Sequence, residues 1–167
     1  LRQLAMDCTG CLELPSLQYN GKLKNLELNE AKSLQSLYPL QNLKSLRTIQ
    51  INGYHGTSLD GLEGCENLEE LSINGAPNLS DLSSLSGLTR LTNLTVEGLF
   101  EDLDALSHLK NLKELYVNSV PQLKDVSALK TCVGLRELQF YSAPSVGSLW
   151  GLDKLTSLRR FGIHHTL

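Results

Sequence analysis

Aromatic residues are scarce in this chain of 167 residues, at 5% of the whole, with one Trp and one Met. A core assembled around a few large rings is therefore excluded, and the interior must come from many small, similar layers. Long apolar runs are lacking too. No stretch approaches the roughly 20 residues that cross a bilayer, and no basic segment followed by an apolar one opens the chain. The chain begins at Leu1 without an initiator methionine, and its native start is expected upstream.

Neither sign of charge dominates: 15 Lys and Arg stand against 18 Asp and Glu, a formal net charge of -3. That balance argues against an electrostatic hold on nucleic acid, and 41% hydrophobic content argues against disorder. Cysteine is sparse. Cys8-Thr9-Gly10-Cys11 has the spacing of a redox or zinc half-site, but Cys65 and Cys132 stand far from it and from each other. No metal or cofactor is expected, and unpaired thiols point to a reducing compartment, cytosol or nucleus. Two glycosylation sequons, Asn78-Leu79-Ser80 and Asn93-Leu94-Thr95, are what chance provides in a chain rich in Asn, Ser and Thr, and leave an extracellular setting open.

What the chain does have is a repeat. The pattern L-x-x-L-x-(L/I/V/M/F) begins at Leu1, Leu23, Leu46, Leu68, Leu91, Leu112, Leu135 and Leu158, with steps of 21 to 23 residues. Its second and third apolar positions, such as Leu26 and Leu28 or Leu94 and Val96, are separated by one polar or small residue. This alternation predicts a short strand with one buried face in every copy. Turn formers follow, as at Asn52-Gly53, Asn74-Gly75 and Asn118-Ser119. Further on, the rhythm changes to every third residue: Leu79, Leu82, Leu85 and Leu88 in one copy, Leu103, Leu106 and Leu109 in another. A period of three is that of a 3₁₀-helix and is too tight for an amphipathic α-helix. Each unit of about 23 residues then makes one coil, with a strand on one side and a tight return on the other. Eight coils at about 4.8 Å per strand span about 40 Å.

These residues resemble the leucine-rich repeat consensus L-x-x-L-x-L-x-x-N/C-x-L, and the resemblance covers the whole chain. The short L-x-x-L-x-x-L returns resemble those of bacterial internalins. Segments such as Leu59 to Leu71 are similar to kinetoplastid expression-site proteins and plant immune receptors. The resemblance implies an α/β repeat solenoid. It would be a horseshoe with a parallel sheet on its concave face and 3₁₀ turns or extended segments on its convex face, occupying residues 1–167 as part of a longer array. One departure is consistent. Where the family buries an Asn or Cys after the strand, the chain has Thr9, Ala31, Tyr54, Ala76, Leu99, Val120, Ala143 and Thr166, so the usual asparagine ladder is expected to be missing or replaced. Cys65 and Cys132, placed where other copies carry Leu85, Leu109 or Leu155, read as small buried hydrophobes.

The resemblance also implies partner binding on the concave face, which the outward strand positions would line. Most copies offer amides, hydroxyls and carboxylates there. The last three differ, because Tyr116 and Tyr141 bring aromatic surface beside Arg136, Arg159, Arg160, His164 and His165. Tyr and Arg are the residues most often found at binding hot spots. The candidate partner-binding set is Glu70, Glu97, Glu114, Tyr116, Arg136, Gln139, Tyr141, Arg160 and His164, with Tyr116 and Tyr141 expected to meet as one patch. Asn29, Asn52, Asn74 and Asn118 read as turn formers. No nucleophile motif, phosphate loop or carboxylate pair supports catalysis. The expected role is a non-catalytic module that binds a protein. The alternatives are a scaffold element packed inside a large assembly and a regulatory segment of a larger receptor or enzyme.

Overall fold

The computed structural model describes residues 1–164. Every copy opens on a strand of five residues: β1 (Gln3–Asp7), β2 (Asn25–Asn29), β3 (Thr48–Asn52), β4 (Glu70–Asn74), β5 (Asn93–Glu97), β6 (Glu114–Asn118), β7 (Glu137–Tyr141) and β8 (Arg160–His164). They pair in parallel, in chain order, as one eight-stranded open sheet. Register is set by the inward residues, since a slip of one would turn every one of them to solvent. Leu26 pairs with Ile49, Ile49 with Leu71, Leu71 with Leu94, Leu94 with Leu115 and Leu115 with Leu138. All of these are buried. Leu4, Met6 and Ile163, on the two outer strands, are only half-buried, and Phe161 is 43% exposed, because among the described residues β1 and β8 each have a strand neighbour on one side only.

Each strand from β1 to β7 is entered at a residue whose carbonyl accepts two amides of the next coil. Lys24 O takes the N–H groups of Arg47 and Thr48 at 2.8 and 3.0 Å, and Lys113 O takes those of Arg136 and Glu137 at 2.8 and 3.0 Å. Strands β2, β3, β4, β6 and β7 are left through a residue with positive φ, namely Glu30, Gly53, Gly75, Ser119 and Ser142. A buried small or apolar residue follows: Ala31, Tyr54, Ala76, Val120 or Ala143. Two copies differ from the sequence expectation. In the first, Cys8 is buried and Thr9 is exposed, because the chain turns one residue earlier; in the fifth, Phe100 is buried and Leu99 is only half-buried, because one extra residue separates it from the strand. Thr166 lies outside the described residues.

The β4–β5 step is shorter than the others, its paired register running from Glu70–Asn93 to Ser72–Thr95. The amide of Gly75 donates to the Glu97 carboxylate at 2.8 Å, whereas the amide of Gly53, one coil earlier, donates to the main-chain oxygen of Asn74 at the same distance. A side chain has taken the place of a backbone acceptor.

The returns are built as the period of three predicts. Five contain 3₁₀ turns: η1 (Tyr38–Leu40), η2 (Ser83–Leu85), η3 (Asp104–His108), η4 (Ser127–Thr131) and η5 (Leu152–Lys154). No α-helix occurs among the described residues. Successive apolar residues are linked by their own backbones, Leu85 N–H to Leu82 O at 2.9 Å, Leu88 to Leu85 at 3.0 Å and Leu91 to Leu88 at 2.9 Å. Cys65 and Cys132 occupy this ladder as buried residues. Their counterpart in the fourth copy is Leu88 rather than Leu85, since Leu68 and Leu135 bond to the cysteines as Leu91 bonds to Leu88. Burial pushes the Cys65 thiol up to about 12 and the Cys132 thiol to about 11, so both stay protonated. Each Sγ–H donates to a carbonyl of the previous coil, at Leu40 and Leu106. Gly64 shows how tightly coils stack: a Cβ there would lie 1.6 Å from the Gln41 carbonyl oxygen.

The inward register can be tested at two adjacent residues. Leu94 is 1% exposed, while Thr95 faces outward. Leu94→Ala should lose about 2 to 5 kcal/mol by chemical denaturation, because transfer and cavity costs add. Thr95→Ala should lose no more than about 0.5 kcal/mol, as at other surface positions. Equal midpoints would refute the register.

Candidate functional site on the concave face

Period-two alternation leaves three outward residues per strand, and the parallel register aligns them into three columns across the sheet. The first runs Gln3, Asn25, Thr48, Glu70, Asn93, Glu114, Glu137, Arg160, and the middle one Ala5, Glu27, Gln50, Ser72, Thr95, Tyr116, Gln139, Gly162. The last begins with Asp7, Asn29, Asn52 and Asn74 and ends with Glu97, Asn118, Tyr141 and His164.

In the second to fourth coils the last column is a ladder of amides. Asn52 Nδ2 donates to Asn29 Oδ1 at 2.8 Å, and Asn74 Nδ2 donates to Asn52 Oδ1 at 3.2 Å. Asn29 in turn donates to Glu27 at 2.8 Å. These asparagines precede positive-φ residues, as a turn reading requires, yet their side chains bridge neighbouring coils. A ladder therefore exists on the outward side, not at the buried position where the repeat consensus places it.

The last three coils hold a connected network centred on Glu137, which is 8% exposed. Arg160 forms an ion pair with its carboxylate through Nη2, Gln139 Nε2 approaches it at 3.4 Å, and the Tyr116 hydroxyl interacts with it electrostatically. Burial alone would raise the Glu137 pKa, but the contributions of Arg160, Tyr116 and Gln139 outweigh it and hold the carboxyl below its ordinary range. Gln139 Oε1 meets His164 Nε2 at 3.0 Å, and the His164 ring stacks on Tyr141 with centroids 4.6 Å apart. Three of the sequence candidates, Gln139, Arg160 and His164, thus bond directly to one another or to Glu137, Tyr141 joins them through the stack, and Tyr116 interacts with Glu137 from the neighbouring strand.

Two placements differ from expectation. Tyr116 and Tyr141 do not face each other: Tyr116 stands opposite Gln139 and Tyr141 opposite Asn118 and His164, since one tyrosine occupies the middle column and the other the last. Arg136 precedes β7 and sits exposed at the sheet's edge, lining a shallow cleft with Glu114, Glu137, Arg159 and Arg160. Of the three remaining candidates, Glu114 accepts a hydrogen bond from Asn93 at 2.8 Å, Glu97 accepts the Gly75 amide, and Glu70 is exposed. His165 lies outside the described residues. Glu137, absent from the candidate set, holds the site together; its position opposite Glu114 and Arg160 is the signal that would have found it.

Cys8 and Cys11 form a tight turn, with the Cys11 amide donating to Cys8 O at 2.9 Å and Gly10 at positive φ. Burial, with a smaller contribution from Cys11, pushes the Cys8 thiol up to about 11. Among the described residues no group of three His, Cys, Asp or Glu side chains is placed to hold a metal ion.

No protein-family model matches the chain, and no curated protein sequence matches it. Solved structures do. The chain is similar to internalin C2 of Listeria monocytogenes, with TM-score 0.70 and 22% identity over 97% of this chain and 80% of that one. It is similar to the leucine-rich repeat domain of the type III effector XopL, with TM-score 0.69 and 21% identity over 98% and 69%. The ectodomain of the plant receptor kinase GASSHO1/SCHENGEN3 from Arabidopsis thaliana, solved in complex with CASPARIAN STRIP INTEGRITY FACTOR 2, matches with TM-score 0.63 and 19% identity over 87% and 19%. The fold is that of the leucine-rich repeat proteins. No helix among the described residues is long and apolar enough to cross a membrane.

Two measurements follow from the site. The Glu137 pKa is lower in the folded chain than the ordinary 4.5, so its contribution to stability is present above that pH and is lost as pH falls through the folded value. Glu137→Gln should lower the thermal midpoint near neutrality, and the gap to wild type should close on acidification below 4.5; a gap that persists there would show that the carboxylate charge is unimportant. For the thiols, iodoacetamide applied to the folded protein at about pH 8 should label half-buried Cys11 well ahead of buried Cys8, Cys65 and Cys132, all four becoming reactive in denaturant. Uniform labelling of the folded chain would contradict the buried positions.

Proposed function

We propose that this chain is a non-catalytic binding module that holds a protein partner on its concave face, principally over β6, β7 and β8. The observation that carries this reading is the preorganised cluster of Tyr116, Gln139, Tyr141, Arg160 and His164 around buried Glu137. Side chains fixed by hydrogen bonds and stacking lose little further entropy when a partner arrives. Tyr and Arg offer large contact area with directed donors. Arg160 commits one nitrogen to Glu137 while its side chain remains 68% exposed, leaving donors for a ligand. Tyr141 is 38% exposed. The complex in which the plant ectodomain was solved supports the use of this fold for recognition.

A second reading, a scaffold element contacted along its back, is favoured by one observation. Trp150 is 66% exposed, Leu149 42% and Tyr38 61%, all on the returns. Lys130 covers one face of the Trp150 ring at 5.0 Å.

The two readings separate in one experiment. Proteins captured by this chain from its native source would be identified, and the partner titrated calorimetrically against Tyr141→Ala and Trp150→Ser. Tyr141→Ala should weaken binding by more than about 1 kcal/mol with thermal unfolding unchanged, while Trp150→Ser should leave affinity intact. The reverse pattern would overturn the concave reading in favour of the scaffold.

A further inference from the structure

Charge is distributed unevenly over this molecule. The chain as a whole is near balance, 18 acidic residues against 15 basic. The outward positions of the eight strands carry six carboxylates, Asp7, Glu27, Glu70, Glu97, Glu114 and Glu137, and one guanidinium, Arg160, which is already engaged by Glu137. The other 14 Lys and Arg therefore lie at the edges and on the returns. A concave surface lined by one sign of charge concentrates the opposite sign, since its field lines converge.

Within that surface the middle column dips. Ser72 and Thr95 are the small residues between Gln50 and Tyr116, and over them lies a cavity of about 210 Å³ bordered by Glu70, Glu114 and Asn93. Pockets for small molecules usually occupy about 300 to 1,000 Å³, so this depression suits a single side chain better than a free ligand. The two carboxylates stand on β4 and β6, two strand spacings or about 9.6 Å apart at the backbone. Direct metal coordination needs oxygens at about 2.0 to 2.6 Å from one point, which that separation does not favour. An ammonium or guanidinium between them can reach both. The far wall is Tyr116, whose hydroxyl interacts with Glu137 and whose ring offers a cation a π face. Glu114 is steadied by Asn93 Nδ2 at 2.8 Å, whereas Glu70 makes no side-chain hydrogen bond or ion pair among the described residues.

We infer that the depression between Gln50 and Tyr116 is a binding pocket for one lysine or arginine side chain of the partner, clasped by Glu70 and Glu114 over the hydroxyls of Ser72 and Thr95. This rests on the concave binding reading and adds to it the chemistry of the residue recognised. Glu70 moves onto the incoming cation, Tyr116 closes the far side, and the floor hydroxyls accept hydrogen bonds from its N–H groups.

The test uses amide-resolved NMR titration of the full chain with a blocked pentapeptide, acetyl-Gly-Ser-Lys-Ser-Gly-amide, its arginine counterpart, and the same peptide carrying Nε-acetyl-lysine. The lysine and arginine peptides should shift the Ser72, Thr95 and Tyr116 amides, and acetylation should weaken binding about tenfold or more by removing the charge. Glu70→Gln and Glu114→Gln keep the side-chain shape and should each weaken the lysine peptide severalfold while leaving the rest of the spectrum in place. Equal binding of the charged and acetylated peptides, shifts confined to other surfaces, or no response to either substitution would overturn the pocket. The captured partner separates this inference from the wider one. If its affinity falls with Tyr141→Ala but not with Glu70→Gln, the concave reading stands and the cation pocket falls; if the lysine peptide behaves as expected while the partner ignores Tyr141→Ala, the pocket stands and the β6–β8 patch falls.

Discussion

An inward leucine in one coil is buried chiefly by its counterparts in the coils above and below, and every other feature of this molecule depends on that stacking. No strand here has a core of its own. Five residues with two or three apolar side chains bury too little surface to order a backbone alone, but eight such layers in register make one continuous apolar column. Because the inward residues fix the register, the outward ones are fixed as well. The alignment that puts Leu115 beneath Leu138 also puts Glu114 beside Glu137 and Tyr116 beside Gln139.

The concave face is thereby built from residues about 23 positions apart in the chain, and their chemistry is collective. Glu137 illustrates this. It would be costly to bury alone, yet it is tolerated because Arg160 comes from the next coil, Tyr116 from the previous one and Gln139 from its own strand. The result is an ordered polar surface at one end of the sheet, a run of bridging amides at the other, and a less occupied acidic stretch between them.

The fold was almost wholly legible in the sequence, because the two periods, two on the strands and three on the returns, are properties of single segments. Leu79, Leu82, Leu85 and Leu88 announce a 3₁₀-like return without reference to anything else. What fixed offsets could not find were local changes in length. Phe100 instead of Leu99, and Cys8 instead of Thr9, are one-residue shifts in where the chain turns inward, invisible to a count that assumes equal copies. The site was legible as a surface and obscure as a network. Strand alternation identifies Tyr116, Tyr141 and Arg160 as outward, but which column each occupies decides what it meets, and the link through Glu137 appears only when three coils are laid side by side. The outward asparagines were readable as residues that precede turns; their bonding across coils depends on a distance between strands that no single segment contains.

The column spacing has a consequence for any chain that lies along this surface. Coils repeat at about 4.8 Å, while an extended polypeptide presents side chains to one face about every 6.6 Å. The two rulers disagree at each step and return to phase after about four coils and three side-chain pairs, close to 20 Å. The sheet therefore acts as a vernier for a ligand running across its strands. Contacts made near β4 recur in phase near β8, and those between fall out of step. Such a surface reads an extended chain at intervals of about six residues, with the intervening side chains free to vary.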